Sequence, residues 1–269
     1  LRTEGEKRAG RRGFSFKIDR EGAGQVLIVG LPNAGKSFLV RRLTNANAVV
    51  ADYPYTTQMP VPGMMFYENV QIQLVDMPPL MYEPADSWYA NMTRVADAIV
   101  VVVDLMDDPA FQLELVLEEL SRFRIRPRGR SGEEGDTFEL EKPVLVLGCK
   151  ADVPEARKRV SELTQAAAGL PVIVVSNTTG EGLEAVRCEV FRLLEIIRVY
   201  TRAPGKAPDM KHPFVLKRGS TMAELAGEIH QDFLQKFKYG RVWGKSKFDG
   251  QKVNLDYFLS DGDIVELRI

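Results

Sequence analysis

Apolar positions fall into two alternating periods from Gln25 onward. Continuous or alternating apolar runs at 26–29, 63–67, 70–75, 98–103, 143–147 and 171–175 predict strands. Stretches with helical periodicity at 36–46, 85–96, 109–124, 154–168 and 181–199 lie between them. Strand–helix alternation of this kind predicts a mainly parallel, doubly wound α/β sheet covered on both faces. The wholly apolar runs Ile99–Val103 and Val144–Leu147 suit central strands. Only Glu68-Asn69 separates 61–67 from 70–75, which predicts an antiparallel hairpin at the sheet edge. Residues 201–210, with Pro204, Gly205 and Pro208, read as a linker. Beyond it, β-type runs at 213–217, 239–243 and 263–269 flank a helical stretch at 221–236, a separate small α+β domain. The expected division is therefore a tail at 1–20, a first domain at 21–200 and a second at 211–269. A polar, glycine-rich stretch at 125–142 interrupts the first domain and is expected to be mobile.

Composition changes this picture little. Net charge is −1, so any attraction to nucleic acid or membrane must come from local patches. One such patch is the tail, with seven basic residues against three acids over 1–20, read first as a solvated tail or the remnant of a preceding domain. The longest apolar run, Ala98–Val103, is far too short to span a bilayer, and no signal peptide is expected. Cys149 and Cys188, far apart in apolar surroundings, fit a reduced, cytoplasmic protein rather than a disulfide scaffold. A first residue Leu1 rather than Met is expected of a fragment.

Chemistry enters at Gly30-Leu31-Pro32-Asn33-Ala34-Gly35-Lys36-Ser37. This stretch fits G-x-x-x-x-G-K-[ST] and sits between a strand run and a helical pattern, the context a phosphate-binding loop requires. Gly30 and Gly35 let successive N–H groups turn toward phosphate oxygens at a helix N-terminus, with Pro32, Asn33 and Ala34 forming the loop between them. Lys36 supplies positive charge and, at the surface of the site, should be removable without loss of the fold. Ser37 offers a hydroxyl to Mg²⁺. The bland alternative is a glycine-rich turn with a chance Lys-Ser.

Asp76 ends a strand, where a carboxylate can hold Mg²⁺ through water; its alternative is a turn cap. Lys150 and Asp152 follow the strand 143–147, at the end of an open sheet where ligands bind. The Asp152 carboxylate can accept from guanine N1–H and N2–H₂, a pair adenine lacks, while Lys150 can lay its stem over the base. Ser176-Asn177 follows the next strand and could complete the pocket through its backbone. Thr57, beside Thr56 in the loop 47–60, could close on Mg²⁺ and the γ-phosphate as an order–disorder switch.

Together these residues resemble a translation-factor-type GTPase of the Obg family, most closely its developmentally regulated GTP-binding (DRG) branch. The motifs that carry the likeness are Gly30–Ser37, Ala51–Thr57, Gln71–Pro78 and, for a C-terminal β-grasp TGS domain, Phe237–Gly244 within 211–269. The resemblance implies a P-loop NTPase fold, GTP and GDP binding with Mg²⁺, slow hydrolysis stabilised by Lys36 and Thr57 without a side-chain base, and a link to ribosome or tRNA, with room for a regulatory protein partner. It also implies a K⁺ ion at Asn33 that would take the place of an arginine finger; the competing role for Asn33 is turn geometry alone. Three positions depart from the family pattern or bear on turnover. Pro79 stands where a glycine N–H would meet the γ-phosphate, Cys149 stands where the guanine motif begins with Asn, and Leu80 cannot orient water.

Two other readings stay open. One is a guanine-nucleotide-binding scaffold with little or no hydrolysis, favoured by Pro79. The other is an RNA-binding adaptor acting through the second domain. There, residues 236–252 carry six basic residues against one acid, interleaved with Tyr239, Trp243 and Phe248. Lys238, Arg241, Lys245 and Lys247 are the candidate contacts, against the alternative of a solvated strand face with core aromatics.

Overall fold

The computed structural model describes residues 18–44, 59–80, 87–128, 140–245 and 248–269. Two sheets organise them. In the first, β1 (Gln25–Gly30) leads through a loop into α1 (Lys36–Leu43). The antiparallel hairpin β2 (Val61–Tyr67) and β3 (Val70–Asp76) follows, then α2 (Ser87–Val95), β4 (Ala98–Asp104) and α3 (Pro109–Arg122). Short strands β5 (Ile125–Pro127) and β6 (Leu140–Lys142) pair in parallel with each other. After them come β7 (Val144–Cys149), α4 (Pro154–Arg157), α5 (Val160–Ala167), β8 (Val172–Val174) and α6 (Leu183–Leu193). The six-stranded order is β2-β3-β1-β4-β7-β8, parallel except for the edge strand β2. Central strands bury both faces: Leu27 and Val29 of β1 join the layer that includes Leu113, Val116 and Leu163, while Val26 and Ile28 join the layer that includes Leu39, Val186 and Val190. Full burial of each such side chain is worth about 1.5–3 kcal/mol.

The second sheet contains β9 (Ile196–Thr201) and β10 (Phe214–Lys217). Helices α7 (Met222–Ile229) and α8 (Gln231–Gln235) follow, then β11 (Tyr239–Trp243), β12 (Gln251–Val253) and β13 (Asp263–Arg268). Its order is β10-β9-β13-β11-β12, with β9 and β13 parallel and the other pairs antiparallel. Met222 and Leu225 of α7 pack with Val199, Val242 and Val265 of the sheet.

Three helical expectations are corrected. The stretch 181–199 is a helix only to Leu193. Glu195 takes φ 49°, and Ile196–Thr201 continues as a strand inside the second sheet. The division at 200 therefore shifts upstream, and 201–210 joins two strands of one sheet rather than two domains. The stretch 154–168 breaks at Arg159, whose guanidinium bonds the Met106 and Asp107 carbonyls. The stretch 221–236 breaks at His230, where the backbone is extended and the ring accepts from Asp232 N–H at 3.1 Å. The ends of the 125–142 stretch are paired strands rather than loop; its middle, 129–139, lies outside the described residues.

Candidate nucleotide site

β1 must end in glycine. Gly30 has φ 154°, and a Cβ there would overlap the Val102 carbonyl oxygen of the neighbouring strand. The loop turns through Asn33, exposed with φ 61°, to Gly35, whose left-handed φ of 96° caps α1 without a side-chain bond. The first turn of α1 carries no acid, so its positive end is left to an anion. Ser37 is exposed there, whereas Ala34 is buried and Pro32 exposed.

Lys36 corrects the expectation of a surface position: it is 6% exposed. Its Nζ donates to Gly30 O at 3.0 Å and Leu31 O at 2.8 Å, folding the side chain back over its own loop. Burial lowers its pKa, and the Asp76 charge partly offsets that.

Asp76 is brought to the same place by register. Its strand pairs with β1 at Ile28, and Met77 N–H bonds Ile28 O at 3.1 Å. Burial raises its pKa; a hydrogen bond from Ser37 and the Lys36 charge work the other way. Asp76 Oδ1 is buried and has no hydrogen-bond partner. An orphaned carboxylate oxygen beside a serine hydroxyl fits Mg²⁺, a hard cation that takes one or two protein oxygens and fills its shell with water and phosphate. Downstream, Met77 is buried, Tyr89 Oη donates to Pro78 O at 3.4 Å, and Leu80 packs against the core. Thr57 lies outside the described residues.

The residues expected on the base side gather at the ends of β7 and β8. Lys150, at φ 69°, pairs its ammonium with Asp104 at the end of β4. Asp152 is exposed; its pKa is lowered first by a hydrogen bond from Ser176, which holds the carboxylate charged. Ala151 N–H bonds Val175 O at 3.1 Å, locking the two loops together. Cys149 is fully buried, and burial pushes its thiol up to about 12. Asn177 Nδ2 donates to Gly35 O at 3.3 Å, joining the base side to the phosphate loop. Sequence reasoning missed two of these parts. Asp104, as the partner of Lys150, was visible only as an acid ending an apolar strand. The side chain of Asn177 carried no pattern signal.

On the second sheet, the outward residues of β11 are Tyr239, Arg241 and Trp243. The aromatics are neither core nor bare: Lys252 Nζ lies 4.2 Å from the Tyr239 ring centroid and the Arg202 guanidinium 4.1 Å from that of Trp243. Phe248 is 73% exposed. Lys238 Nζ donates to Ile269 O at 3.2 Å and Lys245 N–H bonds Asp263 Oδ1 at 3.1 Å, so the two flank β11 at its opposite ends. Lys247 lies outside the described residues.

Comparison with known proteins follows the same division. Residues 25–130 match the family described as 50S ribosome-binding GTPase, and residues 197–269 match the TGS domain. An uncharacterized GTP-binding protein of Methanocaldococcus jannaschii is 27% identical over 94% of this chain and 80% of its own length. The developmentally-regulated GTP-binding protein 2 homolog of Dictyostelium discoideum is 24% identical over 97% of this chain and 87% of its own. Developmentally-regulated GTP-binding protein 1 of Xenopus laevis is 25% identical over 95% and 85%. Among solved structures, the Schizosaccharomyces pombe YchF GTPase aligns with a TM-score of 0.57 at 16% identity, over 94% of this chain and all of that one, a likeness of fold.

Proposed function

We propose that this chain, a GTP-binding protein similar to the DRG/Obg-like GTPases and carrying a TGS domain, is a slow, Mg²⁺-dependent GTPase switch. The observation that supports this best is the cluster of Lys36, Ser37 and the unpartnered Asp76 oxygen at the N-terminus of α1. Mg²⁺, held by Ser37 and Asp76, would neutralise phosphate charge. Lys36, released from the loop carbonyls, turns its charge to the outer phosphates. Asp152, kept ionised by Ser176, accepts from the guanine edge, with Lys150 beside it.

Slow turnover follows from what this chain lacks near the γ-phosphate. Pro79 offers no N–H, and Leu80 is packed against the core. Asn33 is the candidate ligand for a K⁺ ion. Single-turnover GTP hydrolysis in K⁺ and in Na⁺ at equal ionic strength tests both points. The native chain should turn over faster in K⁺, Asn33→Ala should lose that difference, and Pro79→Gly should be faster still. Equal rates in both salts for the native chain and for Pro79→Gly would remove K⁺ from the account.

The second reading concerns the partner. The mixed cation–aromatic face of β11 and β12 supports weak, salt-dependent contact with ribosomal or transfer RNA. Reversing the charge of Lys238 and Lys245 should flatten the salt dependence by about one unit per lost phosphate contact. An unchanged slope assigns those lysines to the sheet's structure.

A further inference from the structure

Position 149 lies directly against the phosphate loop. A Cβ built on Gly35 would be 3.6 Å from Cys149 Sγ and 3.4 Å from Asn177 Nδ2. A carboxamide at 149 would therefore reach the Gly35 backbone, but the thiol there is buried, neutral and a weak hydrogen-bonding group. Asn177 comes from the other side of the same contact. It is 7% exposed, yet it carries a carboxamide whose Nδ2 reaches Gly35 O at 3.3 Å across 142 residues of sequence. Its Oδ1 is buried without a partner. Turning the amide over would set oxygen against the Gly35 carbonyl, so the observed orientation is the one that bonds.

We propose that Asn177 is a positioning residue for guanine-nucleotide binding: its carboxamide ties the phosphate loop to the base pocket and does from the β8 side what the side chain at 149 cannot do from the β7 side. This rests on the guanine-nucleotide reading above. The residue before it, Ser176, fixes Asp152, so Ser176 and Asn177 together set the distance between the base-reading carboxylate and the phosphate cradle. Losing that tie leaves Gly35 O without its hydrogen bond from the β8 side.

The test is a double-mutant cycle read by calorimetry with GDP and Mg²⁺. Asn177→Ala should weaken GDP about tenfold, the effect of losing one hydrogen bond worth about 1.4 kcal/mol. Asn177→Asp, of the same size but with no donor, should weaken it at least as much. Cys149→Asn should change affinity less than threefold in the native background but restore most of the loss in Asn177→Ala, because one carboxamide suffices. A gain from Cys149→Asn that is equal in both backgrounds would overturn the inference, as would unchanged affinity in both Asn177 variants. Circular dichroism of each variant separates a lost fold from a lost tie. If the native chain itself takes up no GDP, the nucleotide reading fails and the inference falls with it.

Discussion

At the scale of single residues, the site trades stability for chemistry. Asp76 and Lys36 are both pushed toward neutrality by burial. For Asp76 the sign is clear. Its folded pKa lies above the ordinary 3.8, so the folded state is favoured while the carboxyl is protonated and loses that advantage as pH rises through the raised value. Asp76→Asn should therefore stabilise the nucleotide-free chain at pH 7 by about 1 kcal/mol, and much less at pH 4, while abolishing Mg²⁺-dependent GTP affinity. Thermal unfolding at the two pH values checks the first part and calorimetry the second; a loss of stability at pH 7 would contradict the burial argument. Lys36→Ala should remove tight triphosphate binding and, because its bonds to Gly30 O and Leu31 O are lost and those carbonyls left without that donor, also cost about 1–3 kcal/mol of stability, less whatever the buried charge itself costs. The identities of these residues were legible because glycine, lysine and serine at fixed offsets have one common use. The side-chain tie at Asn177 was not legible, because it joins two loops with no shared periodicity.

At the scale of elements, backbone requirements decide what the pattern shows. Gly30→Ala would force a side chain into the Val102 carbonyl at a φ that L-residues avoid. It should cost at least about 1–3 kcal/mol in urea unfolding and disrupt the β1–β4 pairing that aims the loop. A fully stable Gly30→Ala chain would place the loop's constraint elsewhere. The strands of the first sheet were readable from apolar runs, and the hairpin from a two-residue gap. The strand Ile196–Thr201 was hidden because Leu193, Leu194, Ile196 and Ile197 also satisfy helical spacing, and only the left-handed turn at Glu195 ends the helix. The extended residue at His230 and the guanidinium bonds of Arg159 broke two other helices, and both depend on conformation or distant carbonyls that periodicity does not record.

At the scale of the whole molecule, the two sheets meet at the β2–β3 turn. Arg198 of β9 grips Asp261 with bonds of 3.0 and 2.8 Å, pairs with Glu68 of the turn, and lies 4.9 Å over the Phe191 ring. Asn69 Nδ2 donates to Tyr200 Oη at 2.7 Å beside it. Arg198→Met should cost about 1.5–3 kcal/mol and split thermal unfolding into two transitions; a single unchanged transition would mean the sheets are coupled elsewhere. On the proposed reading, the nucleotide site on the first sheet chooses its base through Asp152. The most direct test is to titrate the native chain and Asp152→Asn with GDP, ADP and xanthosine diphosphate in Mg²⁺. The native chain should prefer GDP, and Asp152→Asn should reverse that preference toward the xanthine nucleotide, because an amide donor then faces the base oxygen. Equal binding of ADP and GDP by the native chain, or an unaltered preference in Asp152→Asn, would contradict guanine recognition at this site.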